Sequence, residues 1–376
     1  MHVPLESVLR VTQQLKARLL ALERRLLVCI ALLVLTACAP QRTPEDVRAE
    51  LLRKLPVSLA DRAGWARDIQ AAFAAQDLEA TSENLCAVLA VVEQESTYHV
   101  DPQVPGLAGI ARREIDRRAT AMLVPQMVVD AALKLRSPDG RTFAERISAL
   151  RTEQELSALF EEMAGRVPMG QRLFGRFNPI NTGGPMQVRI DFAARHARGY
   201  PYPIDGSIRR EVFSRRGGLY FGIKHLLDYP VDYPAMRYRF ADFNAGWYAS
   251  RNAAFQRAVG IATGTRLIGD GDLLKPGARM DAPGATERAL RGISDRLGMD
   301  AATIRADLQR GDEAGFANTT VYQKVYATAD AKGSGNPVSR ALMPQIELDS
   351  PKITRKLTTA WFAGRVEARW KACMAR

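Results

Sequence analysis

Apolar positions recur with helical spacing along nearly the whole chain. They return every three or four residues over Asp46–Leu55, Ala60–Ala75, Ser82–Thr97, Arg112–Leu135, Gln154–Ala164 and Gln187–Ala197, and few stretches alternate with the period of a half-buried strand. The pattern predicts a mainly α protein. One segment is not amphipathic: Asn84-Leu-Cys-Ala-Val-Leu-Ala-Val-Val-Glu93 is apolar on every face, so a helix capped by Ser82 and running through it has to lie at the centre of the fold. A last helix is expected over Lys352–Cys373, with Ser350 as N-cap and Pro351 at the first helical position, where its missing N–H removes no helix bond. Gly and Pro place loops at 199–206 and 269–272, the second a boundary before a C-terminal helical region, and Lys332-Gly-Ser-Gly-Asn-Pro337 reads as a flexible connection. The sequence carries no internal repeat.

A different pattern precedes these helices. Lys16, Arg18, Arg24 and Arg25 stand before an uncharged apolar run, Leu26–Thr36, that ends in Leu35-Thr36-Ala37-Cys38. This is the layout of a signal peptide, and the run falls well short of the about 20 apolar residues that span a bilayer. Leu-Thr-Ala-Cys resembles the lipobox of bacterial lipoproteins, which implies cleavage after residue 37, acyl chains on Cys38 and, with Ala39 rather than Asp following, sorting to the outer membrane with the protein facing the periplasm. Several acyl chains give durable anchoring where one is marginal. A cleaved secretory signal with a chance cysteine, or a short buried helix, would leave the position of Cys38 unexplained. The stretch before Lys16 is long for a signal peptide's basic region, which points to a translation start downstream of Met1.

With 47% hydrophobic residues over its 376, the chain can bury a substantial core and is not disordered. Its net charge of +12 becomes +9 once residues 1–37 are removed, since 48 Lys and Arg then face 39 Asp and Glu. Outside the cytoplasm such a surface suits anionic lipid and the carboxylate-bearing cell wall rather than nucleic acid, or it is simply a solvated charge excess. Of the four cysteines, Cys29 leaves with the signal and Cys38 is taken by lipid. Cys86 and Cys373 remain, either as a disulfide that an oxidising compartment permits or as two buried thiols.

Most site chemistries lack their signature. There is no Gly-x-x-x-x-Gly-Lys phosphate loop, no His-Glu-x-x-His, no Gly-x-Ser-x-Gly and no Cys-x-x-Cys, and His99, His196 and His225 lack ligand spacing and read as surface or core residues. No cofactor and no metal is implied.

The central helix ends in chemistry. Burial at its end raises the pKa of a carboxyl group and keeps it protonated near neutrality, as a general acid requires. Val91-Val-Glu-Gln-Glu95-Ser96-Thr-Tyr98 resembles the Glu-Ser motif of lytic transglycosylases, Gly183-Gly-Pro-Met-Gln187-Val resembles their Gly-Leu-Met-Gln-Ile motif, and Phe243-Asn244-Ala-Gly246 resembles their Tyr-Asn-Ala-Gly motif. Tyr220-Phe-Gly-Ile-Lys-His-Leu-Leu227 is similar to the helix that runs before the last of these. The four occur in the family's order. Pro185 and Phe243 stand where the family has leucine and tyrosine, and the nearly ninety residues between Glu95 and Gly184 place a helical insertion at about 110–177.

The resemblance implies a lysozyme-like helical domain over 82–260, preceded by a tether and N-terminal helices at 38–81 and followed by a C-terminal helical region at 261–376. It implies that Glu95 protonates the oxygen between N-acetylmuramic acid and N-acetylglucosamine in peptidoglycan strands. The same group then takes the proton of the muramic acid 6-hydroxyl as a 1,6-anhydro ring closes, by way of an oxocarbenium-like transition state. Gln187 and the Met186 backbone would line the sugar cleft with Phe243, Asn244 would bond the glycan or Glu95, Ser96 would orient backbone or substrate, and Tyr98, Trp247 and Tyr248 would offer stacking faces or pack in the core. Glu93, on another face of the helix, would be dispensable. Asp101, the nearest later acid, would favour hydrolysis if it flanked the cleft. A degenerate cleft that grips glycan without cutting, and a structural lipoprotein that docks an unknown envelope partner, are the competing readings.

Overall fold

A computed structural model describes residues 42–165, 178–333, 336–348 and 357–376. The expected signal sequence and Cys38 lie outside them, as do the expected caps Ser350 and Pro351. The described chain is mainly helical, with two antiparallel two-stranded pairs. Among the described residues no helix is long and apolar enough to cross a membrane.

Helices α1 (Pro44–Lys54), α2 (Arg62–Ala75) and α3 (Ser82–Ser96) come first. The N-cap of α3 is Thr81 rather than Ser82: the Thr81 hydroxyl accepts from Asn84 N at 3.1 Å, because Thr81 holds the extended backbone a cap needs while Ser82 is already helical. Leu85 to Val92 are eight consecutive buried residues, as the all-round apolar pattern requires. Helices α4 (Leu107–Ala121), α5 (Gln126–Leu133), α6 (Phe143–Ser148) and α7 (Glu153–Gly165) lie where the helical insertion is expected. The single helix expected over Arg112–Leu135 is broken at Met122–Pro125: proline disfavours helical backbone in the residue before it, and Leu123 turns into the left-handed region at φ 58°.

The pair β1 (Thr182–Gly183) and β2 (Val188–Arg189) follows, then α8 (Ile190–Arg195), so the helix expected from Gln187 starts three residues later, after a hairpin. Helices α9 (Ile208–Phe213), α10 (Arg215–Leu227), α11 (Arg237–Ala245) and α12 (Ala249–Thr263) complete the segment that carries the motifs. Beyond it lie α13 (Ala285–Arg291), α14 (Ser294–Leu297), α15 (Ala301–Leu308), a 3-10 turn (Ala314–Asn318), α16 (Thr320–Lys332), the pair β3 (Glu347–Leu348) and β4 (Leu357–Thr358), and α17 (Thr359–Met374). The N-cap of α17 is Thr358, whose hydroxyl accepts from Trp361 N; the helix starts later than expected because Leu357 and Thr358 pair with Leu348 and Glu347 as strand.

Two apolar cores result. The first gathers Leu51, Phe73, α3, the inner faces of the insertion, α10 and Phe240; the second gathers Phe255, Leu290, Ile304, Phe316, Val325 and their neighbours. Residues 261–376, expected as one C-terminal region, divide between them, since Phe362, Ala363, Val366 and Cys373 of α17 return to the first core. There α17 lies along α3. Cys86 and Cys373 form a disulfide, Trp370 Nε1 donates to Glu83 O at 3.1 Å, Lys54 Nζ donates to Cys373 O at 3.1 Å, and Arg369 pairs with Glu93 at 3.5 Å.

The disulfide closes a loop across a sequence separation of 287, so it removes much of the freedom of the unfolded chain. Replacing both cysteines by serine is expected to lower unfolding free energy by about 2–4 kcal/mol, read by denaturant titration of the oxidised and substituted proteins.

Candidate functional site

Helix α3 ends abruptly just after Glu95. Thr97 and Tyr98 both adopt left-handed backbone, at φ 50° and 61°, which non-glycine residues rarely do. Packing holds them there. The Tyr98 ring is buried edge-on to Trp65 at 5.5 Å, its hydroxyl donates to Leu89 O at 3.2 Å, and burial pushes its phenol well above the ordinary range. Tyr98 is therefore a core residue that fixes the end of the helix rather than a stacking face. Ser96 is also buried: its hydroxyl donates to Pro185 O at 2.9 Å and so ties the helix end to the β1–β2 hairpin.

That hairpin makes the second piece of the site. Gly184 sits at φ 73° with room for nothing larger than hydrogen, since a Cβ there would lie 2.1 Å from Val212 O. The turn sends consecutive side chains to opposite sides. Met186 is fully buried against Gly222, whose own Cβ would meet the Met186 sulfur at 2.5 Å, so Met186 anchors the hairpin and does not line the cavity as expected. Gln187 faces the other way. Its Nε2 donates to Gly184 O at 3.2 Å, and Thr182 Oγ1 donates to its Oε1 at 3.3 Å.

The third piece is the turn from α11 to α12. Asp242 is completely buried; its carboxylate accepts from Ser250 N at 2.7 Å, Tyr233 OH at 2.6 Å and Tyr229 OH at 3.2 Å, and burial lifts its pKa to about 6. The bond to Ser250 staples the end of α11 to the start of α12, and the intervening Gly246 at φ 111° lets Trp247 turn out. Trp247 Nε1 donates to His225 O at 2.7 Å, and its ring stacks on Tyr229 at 5.4 Å. Tyr248, by contrast, is buried beneath the Arg251 guanidinium, 4.0 Å from its ring centroid, and offers no face to a ligand. Asn244 is held from 115 residues away: the buried Thr359 hydroxyl at the start of α17 donates to Asn244 Oδ1 at 2.8 Å. With its oxygen occupied, the amide presents its N–H groups as donors.

Glu95, half-buried, together with Gln187, Phe243, Asn244 and Trp247, lines one cavity of about 1250 Å³. Two of these side chains, Phe243 and Trp247, are packed against rings that sequence reasoning did not assign to the site. Phe192 stacks on His196 at 4.1 Å and meets Trp247 at 5.2 Å, while His225 lies 5.1 Å from Phe243. His196 and His225 both line the cavity, His225 as a buried residue in keeping with its reading as a core histidine. Burial, then the nearby Arg189 charge, lowers the His225 pKa to about 4 and leaves that ring neutral at ordinary pH. Among the described residues no group of His, Cys, Asp and Glu side chains is arranged to hold a metal ion.

The far wall comes from the second core. Asp270, Asp272, Asp312 and Glu313 line the same cavity, as do the basic Arg189 and Arg195. Helix α12 carries this wall: Asn252 Nδ2 donates to Gly311 O at 2.8 Å, Arg251 to Gly311 O at 2.7 Å, and Gln256 Nε2 to Asp270 Oδ1 at 2.7 Å. Asp101 is elsewhere, bonded to the Thr152 side chain and Gln154 backbone, with its pKa raised mainly by burial. Glu93 does not line the cavity and pairs with Arg369.

A family model described as "Protein of unknown function (DUF1615)" matches residues 58–376, a span that takes in every wall of this cavity. The chain belongs to the DUF1615 family. A relative in Escherichia coli (strain K12), "Uncharacterized protein YaiW", is 52% identical over 353 residues, covering 92% of this chain and 96% of the relative. No solved structure matches. The matched region of the DUF1615 family includes α17 and the second core as well as the motif-bearing helices.

Two outcomes follow from the α11–α12 turn. Because the folded state binds the Asp242 proton more tightly than the unfolded chain, with its ordinary value of 3.8, its contribution to stability is fullest below that value and is lost as pH rises to about 6. The loss is roughly 3 kcal/mol, from the size of that shift. Asp242→Asn, which has no proton to lose, is expected to flatten this part of the stability–pH curve, as measured by the difference in denaturation midpoints between the two proteins. Thr359→Val is expected to cost about 1 kcal/mol in stability by leaving Asn244 Oδ1 without its donor, whereas Thr359→Ser retains the bond and is near neutral, as read by thermal melts.

Proposed function

We propose that the chain is a lipid-anchored lytic transglycosylase that cleaves peptidoglycan glycan strands at the periplasmic face of the outer membrane. In this reading α3 to α12, without the insertion, form a lysozyme-like domain. The observation that carries the proposal is that Glu95, Gln187 and Asn244, from three separated motifs, share one cavity with Trp247. The cavity has the size of a ligand cleft, with an aromatic surface for a sugar face and polar groups to orient it.

Glu95 is the acid, then the base. Its carboxyl protonates the glycosidic oxygen as the C1–O bond breaks, and positive charge develops at the muramic acid C1. The carboxylate then accepts the 6-hydroxyl proton while that oxygen bonds C1, so the proton is returned and no water is consumed. Asn244, with its oxygen held by Thr359, offers N–H donors to an acetamido carbonyl or to Glu95. Gln187, held by Thr182 and the Gly184 carbonyl, is a fixed contact for sugar hydroxyls. Phe243 has no hydroxyl to add to the site and Pro185 stands in place of leucine, the two features that favour a glycan-gripping module over an enzyme.

Incubation of the mature protein with sacculi is expected to release anhydro-muropeptides, and Glu95→Gln to abolish release, a loss of at least about a hundredfold. Products with reducing ends instead would mean hydrolysis, with a carboxylate of the far wall activating water. Co-sedimentation with sacculi without release would leave the binding module. Neither binding nor release would remove the glycan reading.

A further inference from the structure

Helix α5 buries only Val129 and Leu133. At 100° per residue, the arc turned away from those two carries Met127, Val128, Ala131, Ala132 and, just past the helix end, Leu135, all of them exposed. Met127 is 81% exposed, Val128 54% and Leu135 60%; Leu123, at the tip of the preceding turn, is 91% exposed. An apolar stripe of helical period has been left facing solvent, where single exposed apolar residues are ordinary but a contiguous set marks a contact surface.

The stripe is held out by bonded structure. Leu123 N donates to Thr120 O at 3.0 Å and Val124 N to Ala119 O at 2.8 Å, closing the left-handed turn that pushes the Leu123 side chain outward. Arg112, from α4, pairs with Asp116 at 3.0 Å and with Asp130 of α5 at 2.6 Å, which locks the two helices together. The surrounding charge is basic. Between Leu107 and Phe143 there are seven Lys and Arg against four Asp and Glu, and Arg113, Arg117, Lys134, Arg136 and Arg141 are exposed.

We propose that the α4–α5 turn and the outer face of α5 seat in the interface of an anionic lipid bilayer. A projecting helix with an apolar outer arc and basic flanks has the form of an interfacial membrane contact, its apolar side chains entering the acyl boundary and its cations meeting anionic headgroups. The chemistry does not require an anchor. If Cys38 is acylated, as the functional reading holds, the stretch from Cys38 to the start of α1 at Pro44 reaches at most about 20 Å, which keeps the body within range of the same bilayer. Contact through α5 would then fix which way the cavity faces.

The test uses the non-acylated mature chain, residues 39–376, which keeps every described residue and makes the outcome independent of the lipid on Cys38 and of glycan cleavage. It is mixed with phosphatidylethanolamine–phosphatidylglycerol liposomes and sedimented. Binding is expected, weaker with phosphatidylcholine alone and at high salt, and at least about tenfold weaker for the double variant Leu123→Asp, Met127→Asp. Val57→Asp, at another exposed apolar residue, should bind as the parent does. Matched melting curves show that the variants fold. Absence of liposome binding, or binding that ignores the double variant, overturns the proposal, as does self-association abolished by the double variant without liposome binding, which would assign the stripe to a second copy of the chain.

Discussion

Helix α3 has no polar face between Leu85 and Val92, and this one constraint organises the structure. A helix apolar all round is stable only when neighbours cover it on every side, and burying side chains such as Leu85 and Leu89 contributes about 1.5–3 kcal/mol each. Local helices cannot enclose it alone. The chain therefore brings back its last helix, α17, which covers α3 and is pinned by the Cys86–Cys373 bridge. The first of the cavity-lining side chains, Glu95, comes where this burial ends, so the element most firmly held in the fold is the one that sets its position.

The return of α17 does more than cover α3. Its first residue, Thr359, bonds Asn244, while its far end is joined to Cys86 and its Arg369 meets Glu93 two residues before Glu95. One rigid element thus references both the acid and the amide that share the cavity. The hairpin is referenced to α3 by a separate contact, Ser96 to Pro185. Preorganisation of this kind is worth most where small displacements are costly, as in a site that must place a proton donor against a single bond. The unfavourable local conformations at Thr97, Tyr98 and Gln187 fit the same picture, since only surrounding packing can hold non-glycine residues at positive φ.

Much of this was legible in the sequence, for reasons that also show where reading had to stop. Continuous apolarity identified α3 as central, and motif order brought Glu95, Gln187 and Asn244 together. Periodicity says that a helix has an apolar face but not what covers it. The run Arg112–Leu135 therefore read as one helix, although Pro125 inside it signalled the break and the outer apolar arc of its second half faces solvent. The course of a tight turn depends on backbone conformation that no local pattern reveals, which is why the Met186 backbone was expected at the cavity beside Gln187, whereas Met186 is fully buried and only Gln187 lines it. Tyr98 misled for a related reason: an aromatic residue next to a site is chemically suited to stack on a sugar or to plug the core, and Trp65 decides for the core. Thr359 and the acidic far wall carried no local signal at all, because their roles exist only through contacts across long stretches of chain.

The far wall raises a last physical point about α12. This helix is buried along most of its length, yet it contains Arg251, Asn252 and Gln256, polar groups that are costly in such a place unless fully bonded. Arg251 is satisfied by the Gly311 and Glu313 carbonyls and the Tyr248 ring rather than by a carboxylate, and its pKa is lowered by burial. A guanidinium held this way rigidifies two backbone turns at once, and Gln256 does the same for Gly271 and Asp270. Hydrophobic packing alone could have joined the two cores but would have left those loops free to slide. The buried polar groups specify instead where the acidic wall stands relative to Trp247 and Asn244, so the width of the cavity is set by hydrogen bonds on a single helix whose first turn begins at the site itself.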